Sequence, residues 1–149
     1  MIPTAQLQRD IVLGRAECMR LLAAGSLGRV IFIAQALPAV QPVAFTLDGD
    51  NVLFRARAGS SLADGTRNDI IAFQVDDIDL NQTDEHWWTV TVIGPSQIVT
   101  DPAEINRLET LTLDAAAPED AHFVLIRIDV IQGWRRRARP IESNVPPPG

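Results

Sequence analysis

The sequence predicts one mainly β domain, a barrel of about six strands with a few short helices. Three observations predict it. Most ordered stretches alternate apolar and polar residues with period two. The connections between them are short, and the βαβ rhythm of a doubly wound sheet is missing. Apolar residues make up 46% of the 149 positions, enough for a real core in a single domain.

The elements follow in order. Arg15 to Ala24 reads as a helix, with Cys18, Leu21, Leu22 and Gly25 at i, i+3, i+4 and i+7 and Gly25 suited to end it. Gly28 to Ile33 reads as a strand, with Val30 to Ala34 its uninterrupted apolar stretch. Leu37 to Leu47 alternates, and its Pro38 and Pro42 require an edge or a bulge because proline cannot donate to a ladder. Asp48-Gly49 between Phe45-Thr46-Leu47 and Val52-Leu53-Phe54 is a hairpin signal. A short helix is expected from about Ser61 to Thr66. Ile71, Phe73 and Val75 share one face of the next strand, and Trp88, Val90 and Val92 alternate with Thr89, Thr91 and Ile93. Pro102 to Leu111 is a second clear helix, with Asp101 as N-cap, Pro102 in the first turn and Glu104 three residues past the cap. Val124 to Ile131 alternates as one last strand. Arg135-Arg136-Arg137 and Arg139 then read as a solvated basic tail, and the proline-rich end, residues 141–149, as a flexible appendage to a domain at 1–140.

Composition narrows the chemistry. Net charge is −6, which argues against nucleic acid as a partner. All thirteen basic residues are arginine, so Schiff-base and P-loop lysine chemistry are excluded, and an anionic ligand must be met by arginines, hydroxyls or backbone N–H groups. No run approaches the roughly 18 apolar residues of a membrane span. The N-terminus lacks a basic and an apolar block, and the single cysteine, Cys18, has no disulfide partner in the chain; both place the protein in the cytoplasm. Cys18 lies on an apolar helical face and reads as a small hydrophobe. Gly25 and Gly28 precede the first apolar strand and do not form a dinucleotide fingerprint. No G-x-S-x-G elbow surrounds a serine, so His86 and His122 have no hydrolase context. Asp76, Asp77, Asp79 and Asp84 lack the glycine and glutamate of a calcium loop. No metal site is expected.

One resemblance organises the chain from about Leu21 to Trp134. The helix end Leu21-Leu22-Ala23-Ala24-Gly25 with Gly28-Arg29-Val30, then Leu37 to Val43 with Leu47-Asp48-Gly49-Asp50, come first. Val52-Leu53-Phe54-Arg55 with Gly59-Ser60-Ser61-Leu62, Phe73 to Asp77, Trp88 to Gly94, and Ile126-Arg127-Ile128 with Gly133 follow. In this order they resemble the pyridoxamine 5′-phosphate oxidase-like, FMN-binding split-barrel family in its short actinobacterial form.

The resemblance implies a six-stranded split β-barrel, a homodimer with flavin between subunits, and an FMN-dependent oxidoreductase acting on a small-molecule substrate. It places the flavin phosphate at Phe54, Arg55, Ser60, Ser61 and Leu62. Backbone around Pro42 and Val43 can edge the ring, and Trp88 can cover it or pack in the core. Relatives commonly carry lysine at the position of Ser61 and threonine at that of Ala56. One charge-assisted hydrogen bond is worth about 1.5–3 kcal/mol, so the missing lysine weakens binding by about ten- to a hundredfold unless Arg55, Arg57 or Arg67 replaces it. Two alternatives remain: a reductase using the deazaflavin coenzyme F-420, whose acidic tail the Arg135–Arg139 run would meet, and a non-catalytic binding protein with a degenerate flavin site and no cofactor.

Overall fold

A computed structural model of the chain describes residues 10–79, 86–111 and 120–137. The proline-rich tail at 141–149, Arg139 and Asp84 lie outside the described residues. Eight strands and three helices follow one another: β1 (Asp10–Leu13), α1 (Arg15–Ala24), β2 (Leu27–Ala34), β3 (Leu37–Asp48), β4 (Asn51–Arg57), α2 (Ser61–Gly65), β5 (Asp69–Asp79), β6 (His86–Ile98), α3 (Pro102–Leu111), β7 (Ala121–Arg127) and β8 (Val130–Arg137).

All strand pairings are antiparallel. Six strands close on themselves in the order β6-β5-β2-β3-β4-β7 with β7 returning to β6, and β8 and then β1 extend the sheet outside that ring. Closure removes most free edges, which is how small all-β domains avoid exposing unpaired backbone. The expected split barrel is therefore present, with two strands beyond the six.

The barrel is split because β6 gives one edge to two partners. Residues His86 to Ile93 pair with β8, and Ser96 to Ile98 pair with β7. The alternation from Val124 to Ile131 is consequently not one strand, as the sequence suggested. It breaks at Ile128-Asp129, where the Ile128 N–H turns aside to donate to the Asp50 carbonyl at 2.9 Å. The Arg135–Arg137 run is likewise not a tail. It lies in β8, paired with β6 and, at Arg135 and Arg136, with β1.

The inward sides of the strands build the core. Val30, Phe32, Val52, Phe54, Phe73, Val75, Val90, Val92, Val124 and Ile126 form it with Cys18 and Leu22 of α1 and with Leu62 and Ala63 of α2. A second, smaller cluster lies outside β4 and β7, where Leu108 of α3 covers Leu53, Phe123 and Leu125. The three helices have the bounds expected from spacing, α2 ending one residue early. Gly25 does end α1, but in extended backbone rather than the left-handed form.

The prolines of β3 sit where the sequence required. Over Leu37 to Ala44 this strand pairs with β2, and its ladder with β4 starts only at Phe45. The Phe45 N–H donates to the Ser26 carbonyl, so odd-numbered residues of β3 bond toward β2 and even-numbered ones turn away from it. Pro38 and Pro42 are both even. Their nitrogens face the second edge, which over 37–44 has no strand partner among the described residues.

Candidate functional site

The site grows from the end of β4. Val52, Phe54 and Ala56 of this strand point into the barrel; Leu53, Arg55 and Arg57 point out. Arg55 lays its guanidinium 4.7 Å from the centre of the Phe123 ring on the neighbouring strand. Arg57 ends the strand, exposed. A turn follows, closed by Ser60 N–H on the Arg57 carbonyl at 3.1 Å, with Gly59 at φ 79°, a conformation that favours glycine.

Ser60 then caps α2. Its Oγ accepts from the Ala63 N–H at 3.1 Å, which leaves the hydroxyl proton available to a ligand. Ser61 is exposed on the first turn. Leu62 is buried and anchors α2 to the barrel, and the buried Thr66 hydroxyl donates back to the Leu62 carbonyl at 2.7 Å. Arg67 follows, exposed. Beyond Phe45 toward Leu37, the edge of β3 next to the end of β4 has no strand partner among the described residues. The β3–β4 register ends at Phe45 opposite Phe54, and continuing it puts Pro42 across from Arg57.

Arg57 and Ser60 precede α2, Ser61 opens it and Arg67 follows it, and Pro42 is exposed on β3. Arg55 sits on the outer side against Phe123. Val43, Phe54, Leu62 and Trp88 are all buried members of the barrel core.

The charges distinguish the arginines. Arg20 and Arg135 pair with Glu17, Arg29 with Asp76, Arg107 with Asp48 and Glu104, and Arg127 with Asp129. Arg136 stacks over Trp87 at 5.4 Å. Among the described residues, the side chains of Arg15, Arg57 and Arg67 make no ion pair, hydrogen bond or ring contact with the protein. Two of these three bracket α2.

The comparisons agree with this architecture. Residues 14–133 match the pyridoxamine 5′-phosphate oxidase family. The chain belongs to that family. The matched span of this pyridoxamine 5′-phosphate oxidase family member takes in every barrel strand and α2, and stops inside β8 at Gly133. The chain is 34% identical over 112 residues to the uncharacterised protein Rv0080 of Mycobacterium tuberculosis, covering 71% of this chain and 72% of that one. An FAD-binding protein of Mycobacterium smegmatis superposes with a TM-score of 0.71 at 28% identity, over 85% of this chain and 99% of that one. An FAD- and haem-binding protein of the same organism shares the fold, with a TM-score of 0.69 at 16% identity over 91% and 77% of the two chains.

Sequence reasoning named the loop and its arginines, and weighed His122 only as a hydrolase residue; the ladder places it on the inward side of β7. Its position two residues before Val124, four before Ile126, was the available signal, since alternation carries it to the same face.

Proposed function

We propose that this family member binds a flavin nucleotide in the groove between α2 and the open edge of β3, and serves as a flavin-dependent oxidoreductase. The observation that carries this reading is the pair of cations Arg57 and Arg67, before and after α2, which have no partner among the described residues in a chain of net charge −6. Five of the described arginines meet a carboxylate. Arginine without one suits a phosphate, which it meets through two parallel N–H donors. The Ser60 and Ser61 hydroxyls add neutral donors beside them.

The open edge of β3 suits the ring. Its even-numbered carbonyls, with the N–H groups of Val40 and Ala44, can pair with the polar edge of a flavin, while Val43 and the core behind it form an apolar wall. When bound, a flavin supplies hydride or electron transfer; the residues named here bind and orient it and exclude water. FMN is the first reading. FAD is the second, favoured by the 28% identical FAD-binding neighbour. The deazaflavin reading is the third; of the arginines it would use, Arg135 pairs with Glu17 and Arg136 lies over Trp87.

The groove belongs to a homodimer in this reading. Val40, Ile31, Ala72, Ile93 and Val130 are successive cross-strand partners and form one apolar row over the outside of five strands. Val40 is 61% exposed and Val130 48%. Beside that row Arg29 donates to Gln74 at 3.1 Å and Gln74 to Thr91 at 3.0 Å, so the neighbouring polar groups are tied down before any partner arrives.

Titration of the purified protein with FMN, FAD and riboflavin, followed by flavin fluorescence and visible absorption, tests the reading. FMN or FAD should bind at least about tenfold more tightly than riboflavin, which lacks phosphate. Failure of all three to bind overturns it.

A further inference from the structure

A hollow lies on the outside of the barrel, where β5, β6, β7 and β4 run side by side. It encloses about 420 Å³, within the range of roughly 300–1,000 Å³ typical of small-molecule sites. The ladders put its walls on one face. Ile70 stands opposite Pro95, Gln97 opposite Leu125, and Arg127 opposite Asn51. Residues opposed across a ladder share a face, and so do residues two apart along one strand. All six therefore look outward, away from Val52, Val92 and Ile126 in the core. Asn51 opens β4 and Arg57 closes it, so this hollow and the anion site lie at opposite ends of that strand.

The apolar lining comes from Ile70, Pro95 and Leu125. The polar lining is rich in amides. Among the described residues the side chains of Asn51, Asn68 and Gln97 make no hydrogen bond. Each carries two N–H donors and a carbonyl acceptor in one plane. Asn68 is held at φ 54°, a left-handed conformation that asparagine tolerates, just before β5. The buried Ser96 hydroxyl donates to the Asp69 carbonyl at 3.0 Å and ties the start of β5 to β6.

The charges at the hollow largely cancel. Arg127 gives its Nε and Nη2 donors to the two oxygens of Asp129, at 2.6 and 3.1 Å. Asp69 accepts from the Ile70 N–H at 2.8 Å through one oxygen. Its other oxygen is an acceptor for an amino group. A guanidinium already matched by a carboxylate gives a phosphate little advantage here.

We propose that this hollow binds an amino-substituted nucleobase, adenine being the type. Asparagine and glutamine read the adenine edge through a paired donor and acceptor, and three such side chains converge on this hollow without protein partners among the described residues. Asp69 accepts from the amino group of the ring, and Ile70, Pro95 and Leu125 meet its flat face. The base can arrive on a free nucleoside or as the adenine end of a dinucleotide such as FAD, and the chemistry that recognises it is the same.

Adenosine titrated into the full chain, followed by NMR of the side-chain amide groups, tests the assignment. The resonances of Asn51, Asn68 and Gln97 should shift together and saturate. Gln97 is exposed, so Gln97→Leu should fold as wild type does and bind adenosine at least about fivefold more weakly, the loss of one bidentate base contact. Inosine, which has a keto group in place of the amino group, should bind more weakly than adenosine. Amide resonances unmoved by adenosine, equal affinities for wild type and variant, or inosine binding as well as adenosine would each overturn it. Flavins added to the adenosine complex separate the sources. FMN has no adenine and should leave adenosine in place; displacement by FMN overturns the assignment. FAD that displaces adenosine supports a site for the end of a dinucleotide, and FAD that does not supports a site for a free nucleoside. If no flavin binds while adenosine does, the flavin reading fails and the base site stands; bound FMN with amides unmoved by adenosine is the reverse.

Discussion

Gly94 of β6 lies directly against the main chain of Arg127, so closely that a β-carbon at position 94 would overlap the Arg127 carbonyl. This contact marks the point where the edge of β6 passes from β8 to β7, and it needs the absence of a side chain. The obstacle is backbone on both sides, so a rotamer change cannot relieve it. Gly94→Ala should destabilise the fold by about 2–4 kcal/mol, in the range of severe steric substitutions. A urea unfolding midpoint close to wild type would show that the split tolerates more width than the structure allows.

Arg57 and Arg67 should matter more to flavin binding than Arg55. The first two have no protein partner among the described residues, whereas Arg55 already rests on Phe123. Arg57→Ala or Arg67→Ala should weaken FMN or FAD binding by about tenfold or more, the loss of a charge-assisted contact. Arg55→Ala should change it by less. Fluorescence titration of the three variants checks this order, and equal affinities throughout would move the phosphate elsewhere.

The apolar row across Val40, Ile31, Ala72, Ile93 and Val130 should carry self-association. Sedimentation at micromolar concentration should show a dimer, with an interface above the roughly 1,000 Å² that stable complexes bury. Ile93→Asp, at the centre of the row, should yield monomers with an unchanged far-ultraviolet circular dichroism spectrum. A monomeric wild type would remove the dimer and the two-subunit groove together.

The β2–β3 hairpin carries improvable strain. Gln35 and Ala36 both adopt left-handed backbone, at φ 51° and 67°, in a two-residue turn whose preferred occupants are Asn-Gly. Gln35→Asn with Ala36→Gly should raise stability by about 1 kcal/mol. Chemical denaturation of the double variant measures it.

Arg107 sets part of the acid response. It donates to Asp48 Oδ1 at 3.1 Å and to Oδ2 at 2.7 Å, and it also pairs with Glu104. The guanidinium holds both carboxyls below their ordinary values. Carboxyls with lowered folded values stabilise the protein above their unfolded pKa, near 4, and lose that contribution as pH falls through the folded one. Arg107→Ala should therefore lower the denaturation midpoint at neutral pH, with a gap to wild type that narrows below about pH 4 and in high salt. A gap constant with pH would exclude an ionic origin.

Much of the architecture could be read from local pattern. Ile71, Phe73 and Val75 alternate and are buried, and Asp101 and Ser60 mark the helix starts that they cap. What could not be read depends on distant contacts. Ile128 and Asp129 continue the alternation of β7 without a break in pattern; only Asp50 and Gly94, far away in sequence, end the strand there. Arg135 to Arg137 look like a tail until Glu17 and Trp87 are seen beside Arg135 and Arg136. Proximity in sequence pointed to Arg57 and Arg67, but that neither has a partner among the described residues appears only once the other arginines are paired off. The direction of His122 was implicit in the alternation of Val124 and Ile126.

The two prolines of β3 also bear on how the protein behaves when the groove is empty. An open strand edge is a template for another strand, and so a route to aggregation. Of the four even-numbered positions along this edge, Pro38 and Pro42 have no N–H to offer, leaving Val40 and Ala44 as the donors. A polypeptide arriving there meets carbonyls that it can satisfy and gaps where its own carbonyls need donors. A small molecule with a short polar edge does not need the full register. The same pair of residues thus leaves this edge able to meet a small molecule while discouraging a neighbouring chain, which favours a dispersed protein.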